Sequence, residues 1–188
     1  MNKKTQELDT DEFTYNDYVQ RLANSNSSEL ISNGHKNHAK ILIQQLLLKG
    51  NESVRIFSSH LKDVIYSDAD VVAALRLFLS RKNTVLKILL QSPEQDPKIS
   101  NREFFKICNE SRNCDIRAIR DSEHKKLRTH FVTMDDRGYR FCADKDQFKA
   151  VASFNRPITT SNLNNQFDYL YSFATNYPPS NNLINMNP

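Results

Sequence analysis

Arg112, Arg117, Arg120, Lys125, Lys126 and Arg128 crowd one stretch of the chain and lead up to His130, so a string of cations ends at an imidazole. Residues of these types could follow a nucleic-acid backbone, because each cation that meets a phosphate releases a condensed counterion. Asp115, Asp121 and Glu123 interrupt the run, which leaves a solvated face of mixed charge as the competing reading. His35 and His38 stand three apart at a helix start and could share a metal ion with His60. No acidic or cysteine partner lies at a matching spacing, so no metal is expected. Cys108, Cys114 and Cys142 are odd in number and lack C-x-x-C spacing, which makes them free thiols. Gly34, Gly50 and Gly138 are the only glycines. They cannot spell G-x-G-x-x-G or G-x-x-x-x-G-K-[ST], and no cofactor is expected.

The elements that must position these groups follow from periodicity. Ala39, Leu42, Ile43, Leu46 and Leu47 recur at helical spacing and predict a helix over 36–49. Ser53 to Ser58 alternates like a strand, and Asp70 precedes a helical run through Val71, Leu75 and Phe78. Thr84 to Leu90 is a β-rich apolar run suited to a strand buried on both faces. Ser100 and Glu103 spell a capping box for a helix carrying Phe104, Phe105, Ile107 and Cys108, and Cys114 to Arg120 returns to strand character. Thr129 to Met134 and Tyr139 to Cys142 read as a hairpin in which Gly138 supplies the positive φ. Ala150 to Phe154 is a further strand, and Thr160 or Ser161 caps a last helix carrying Leu163, Phe167, Leu170 and Tyr171. This order predicts an α/β fold: a mixed, mainly parallel sheet flanked by helices. Val54, Ile56, Leu86, Ile88, Ile116 and Val151 are its expected core.

That order, with His130-Phe-Val-Thr-Met-Asp-Asp136 on one strand and Ala152-Ser-Phe-Asn155 on a later one, resembles half of a phospholipase D-like domain of the small bacterial type. The superfamily signature is H-x-K-x4-D followed by G-S-x-N, and its enzymes bring two copies together, often across a homodimer. The resemblance implies a catalytic set of His130, Ser153 and Asn155. It also makes the motif degenerate: Val132 stands at the lysine, Arg137 at the aspartate beside Asp135 and Asp136, and Ala152 at the glycine. Lysine offsets charge on the phosphate in the transition state, which valine cannot do unless Arg128 or Arg140 reaches the same point. The expected phosphate-binding or nucleic-acid-binding set is therefore Arg120, Lys125, Lys126, Arg128 and Arg140.

The implied function is a catalytically degenerate binding or assembly module recognising nucleic acid or a partner protein, with bacterial antiviral defence as a context some such proteins share. The alternative is an active phosphodiesterase or nuclease with His130 as nucleophile. A homodimer is expected through the sheet end carrying His130 and Ser153, beside Val132 and Phe154.

The 188 residues make one domain over 29–175, with a polar arm over 1–28 and a disordered tail over 176–188. Phe13, Tyr15, Tyr18, Val19 and Leu22 give the arm a short amphipathic signal. A net charge of +4 permits phosphate contact without demanding it. No apolar run approaches the roughly 20 residues of a membrane span, and the first residues carry no secretory signal, so the chain is expected to be cytoplasmic.

Overall fold

Short β-branched runs alternating with helical ones must hide two faces of a sheet, and the computed structural model, which describes residues 3–61, 63–92 and 101–177, shows how they do so. The chain runs α1 (Lys3–Asn24), β1 (Ile31–Asn33), α2 (Lys36–Lys49), β2 (Ser53–Ser58), α3 (Asp63–Tyr66), α4 (Ala69–Leu79), β3 (Val85–Leu90) and α5 (Arg102–Glu110). It continues through β4 (Cys114–Ala118), α6 (Ser122–Lys125), β5 (His130–Met134), β6 (Gly138–Cys142), β7 (Ala150–Ser153), α7 (Pro157–Ser172) and β8 (Thr175–Asn176).

The strands form one mixed sheet in the order β1-β7-β6-β5-β2-β3-β4-β8. The expected mixed α/β sheet flanked by helices stands, but it is not mainly parallel: among the described strands β2-β3 and β3-β4 pair parallel and the other five pairings are antiparallel. The parallel crossovers are α3–α4 and α5, while the later strands form a meander with a tight β5–β6 turn and a longer β6–β7 return. Among the described residues, no helix is long and apolar enough to cross a membrane.

Alternation of side chains assigns each strand residue to a face. On one face Val54, Ile56, Leu86, Ile88, Val132 and Met134 meet α2, α4 and α5 through Leu42, Leu46, Leu75, Phe78 and Phe104. On the other, Phe57, Leu89, Phe131 and Tyr139 meet Leu163, Phe167 and Leu170 of α7. Each large side chain so buried contributes roughly 1.5–3 kcal/mol.

The amphipathic signal in the N-terminal segment proves structural: Val19, Leu22 and Ala23 of α1 are buried in the larger core. Val151 departs from the expected core. It is 40% exposed, because its face of β7 extends past the reach of α7. Thr160 sits inside α7, whose first turn begins at Pro157, and its hydroxyl donates to Arg156 C=O. Asn101 takes the N-cap position of α5 without a side-chain capping bond, and Ser100 lies outside the described residues. Asn176 pairs with Arg117 as part of β8, while the rest of the segment expected to be disordered, from residue 178, lies outside the described residues.

The seam between the parallel and antiparallel halves is the β2–β5 pairing. Asp135, at φ 51°, supplies the positive φ of the β5–β6 turn, and Gly138 does not. Its carboxylate accepts N–H bonds from Asn51 (3.1 Å), Glu52 (2.9 Å) and Ser53 (3.1 Å), the residues that lead into β2. Asn164 of α7 latches the same turn by donating to Asp135 C=O and Asp136 Oδ1. Asp135→Ala strands three donors and puts a Cβ residue without a polar tip at positive φ. It should cost about 2–4 kcal/mol in urea unfolding, with Asp135→Asn retaining a substantial part of that stability.

Candidate functional site

The C-terminal ends of β2, β3 and β4 point to one edge of the sheet, and β5 begins there because it runs antiparallel to β2. His130 is the first residue of β5 and is 9% exposed. Its Nε2 accepts the Ser59 N–H at 2.8 Å, just past the end of β2. An N–H can only donate, so the Nε2 lone pair is occupied by the main chain and the proton of the neutral ring belongs on Nδ1.

Val132 pairs with Arg140 across β5 and β6, and His130 pairs with Cys142. Cross-strand partners share a face, so the Arg140 side chain rises beside the valine that stands in the lysine position. Arg140 is 6% exposed. Its Nε donates to Asn33 Oδ1 at 3.2 Å and its Nη2 to Phe148 C=O at 3.1 Å, both neutral acceptors. Burial pulls the guanidinium down from its ordinary value, while the nearby Tyr66, Cys142 and Tyr15 side chains oppose that shift. Burial also pushes the Tyr66 and Tyr15 phenols up, so both are neutral near pH 7. Among the described residues, Arg140 forms no ion pair with a carboxylate.

His130, Arg140, Cys142 and Tyr66 line a cavity of about 30 Å³, closed on one side by Gln147 and Phe148. That space suits water and is far too small for a phosphodiester. A larger groove of about 900 Å³ shares Gln147 and Phe148 with it and is bordered by Asn33, Gly34, Asp144 and Lys149. The segment between β6 and β7 thus lines both spaces.

The remaining expected site residues divide into two groups. Arg120, Lys125, Lys126 and Arg128 lie with His130 at this edge, in the connection from β4 to β5. Arg128 pairs with Asp144 (2.7 Å) and Asp146 (3.1 Å), Lys126 with Glu123 (2.6 Å), and Arg120 donates to Thr175 Oγ1 (2.9 Å). These exposed ion pairs contribute little, so an incoming polyanion can replace them at small cost. Arg140, held against the sheet, is the cation that reaches the Val132 position.

Ser153 and Asn155 do not join His130. Ser153 pairs with Tyr139, three residues along β6 from Cys142, which pairs with His130. It therefore lies roughly 10 Å further along the strands and on the opposite face. Its hydroxyl is used locally, donating to Ser27 C=O and accepting the Asn155 N–H, both at 3.4 Å. Asp135 and Asp136 are engaged in the turn at that far edge. Val132 and Phe154 are 2% and 1% exposed, so neither forms the surface patch expected to join two copies.

Ser59, Asn33 and Tyr66 were not legible as site residues. Each reaches the site from a distant element and carries no motif of its own. His35 and His38 pack at the start of α2: His38 stacks on Tyr15 at 3.5 Å between ring centroids, and His35 lies 3.7 Å from His38.

The family described as Domain of unknown function (DUF7931) matches residues 33–183. Among curated proteins, none matches the sequence. Among solved structures, the chain is similar to TrmBL2, an archaeal chromatin protein described as showing a novel mode of DNA binding. That match has a TM-score of 0.59 and 12% identity and covers 93% of this chain and 65% of TrmBL2. The chain is also similar to Nuc from Salmonella typhimurium, a phospholipase D family member, with a TM-score of 0.59, 13% identity and coverage of 79% of this chain and 99% of Nuc. NucT from Helicobacter pylori matches with a TM-score of 0.56, 9% identity and coverage of 79% of this chain and 100% of NucT. At such identities these likenesses establish the fold, which is phospholipase D-like.

A buried cation held by two neutral acceptors contributes little to stability. Arg140→Met should leave urea-unfolding stability within about 1 kcal/mol of the parent, or raise it. Inorganic phosphate should raise the melting temperature of the parent protein, and the same change should abolish that rise.

Proposed function

Because the chain belongs to the DUF7931 family, whose description assigns no chemistry, we propose its function from the site: a nucleic-acid-binding module on a phospholipase D-like half-domain, with phosphodiester cleavage lost. The observation that carries this reading is Arg140, buried opposite Val132 with neutral partners. Protein interiors rarely hold a cation without a carboxylate unless a ligand supplies the negative charge. A nucleic-acid phosphate supplies it once cavity-lining side chains such as Phe148 move aside, and Arg120, Lys125, Lys126 and Arg128 extend the cationic edge along which a backbone would run. The DNA binding described for TrmBL2, which shares the fold, supports the same class of ligand.

Two features argue against cleavage. The His130 Nε2 lone pair is engaged by Ser59, and Ser153 lies at the far edge. The phosphodiesterase reading draws its support from Arg140, a cationic group beside His130 on the same cavity, which could offset phosphate charge as the motif lysine does. It also needs the His130–Ser59 bond to open and a second histidine to protonate the leaving oxygen.

The two readings part in one experiment. The parent protein should bind DNA with an affinity that falls steeply as salt rises, and should show no turnover of a generic phosphodiester or of DNA in EDTA. Arg140→Met should weaken binding about tenfold or more, while His130→Ala leaves it nearly unchanged. Turnover in the parent that disappears in His130→Ala would establish the enzyme instead.

A homodimer is part of the proposal. With Val132 and Phe154 buried, its interface falls to the uncovered sheet face around Val151. Light scattering at tens of micromolar should give twice the chain mass, and Val151→Glu should return it to one. A parent of single-chain mass would remove the dimer.

A further inference from the structure

Three rings touch one another on the outside of the molecule where α6 meets the end of α7. Tyr169 and Phe173 lie 5.1 Å apart between centroids, nearly edge to face, and His124 lies 6.2 Å and 6.3 Å from them. Tyr169 is 59% and Phe173 61% exposed. Single exposed apolar residues are ordinary, but a cluster of mutually packed rings held in water is a candidate contact surface.

The cluster is built rather than incidental. Asp121 caps α6 by accepting the N–H groups of Glu123 and His124, and its carboxylate lies 3.3 Å from His124 Nδ1, which fixes the imidazole. Leu170 and Tyr171 anchor the end of α7 in the core, so that Tyr169 and Phe173, on the other side of the same turn, must point outward. Cations of the same connection lie close by in the chain: Arg120 donates to Thr175, two residues past Phe173, and Lys125 and Lys126 directly follow His124.

Exposed rings beside cations match a nucleic acid whose base faces are accessible. In a duplex those faces are stacked within the helix, and only the phosphates remain for the protein. We propose that His124, Tyr169 and Phe173 form a stacking platform for the bases of single-stranded nucleic acid, whose phosphates lie on Arg120, Lys125 and Lys126. The inference rests on the nucleic-acid reading above and adds the strand state and a second contact surface, distinct from the Arg140 cavity.

The test measures binding of fluorescent oligothymidylate and of a duplex at one salt concentration, for the full chain and for Phe173→Ala, Tyr169→Ala and Phe173→Tyr. The parent should bind the single strand more tightly than the duplex. Phe173→Ala and Tyr169→Ala should each weaken single-strand binding by about 5- to 150-fold, leaving duplex affinity and the salt slope unchanged, and Phe173→Tyr should retain the parent affinity. Equal single-strand affinity in parent and alanine variants, alongside a duplex affinity that still depends on Arg140, would overturn the platform and leave the nucleic-acid reading standing. Absence of any nucleic-acid binding would remove both. Two further results would also overturn the platform: ring-dependent binding to phosphatidylglycerol vesicles in place of oligothymidylate, or a fall in light-scattering mass on Phe173→Ala.

Discussion

Three backbone N–H groups, from Asn51, Glu52 and Ser53, converge on the single carboxylate of Asp135, and that convergence fixes how the two halves of the sheet meet. β2 is the last strand of the parallel half and β5 the first of the meander. Their register could slip only by turning every side chain of the meander to the wrong face. With Asp135 holding one end, His130 arrives at the other end opposite the close of β2, where the Ser59 N–H meets its ring. Charge-assisted bonds at a buried turn are well suited to this role, since losing one partner leaves the others desolvated and unmatched.

Everything at the candidate site follows from that register. The Val54↔Met134 and Ile56↔Val132 pairs send Val132 into the larger core, and the next strand then brings Arg140 to the same face. A guanidinium there costs desolvation energy that its two neutral acceptors only partly offset. Ile43, Ile65 and Phe131 also line the cavity, and these apolar neighbours add to that cost. A local rule broken within an otherwise consistent structure is the usual mark of a place that meets a ligand.

Local signals carried most of the fold. The α2 and β2 bounds were readable from periodicity because each element packs one continuous stripe or face. β1 and β8, at three and two residues, are too short to show a period and exist through their neighbours. Val151 misled for a related reason: alternation tells which face a residue takes, and whether a helix covers that face depends on where α7 ends. At the site, the spacing of histidine, serine and asparagine resembled a motif, yet β6 and the long return to β7 carry Ser153 to the far edge. Arg140 was readable as a candidate only by its nearness in sequence. Its place opposite Val132 is a property of the hairpin register, set by a turn whose positive φ falls on Asp135 and not on the neighbouring glycine.

The brevity of the outermost strands bears on how copies of this chain can meet. An eight-stranded sheet that ended in long, flat strands would present rows of unpaired amides on which another sheet could continue growing. Here one border is the three residues of β1, with the Tyr15 hydroxyl donating to Ser32 C=O, and the other is the two residues of β8. Neither offers enough backbone to template an added strand, so the fold guards itself against open-ended polymerisation. Association is left to side-chain surfaces, which can be closed by symmetry after a single contact.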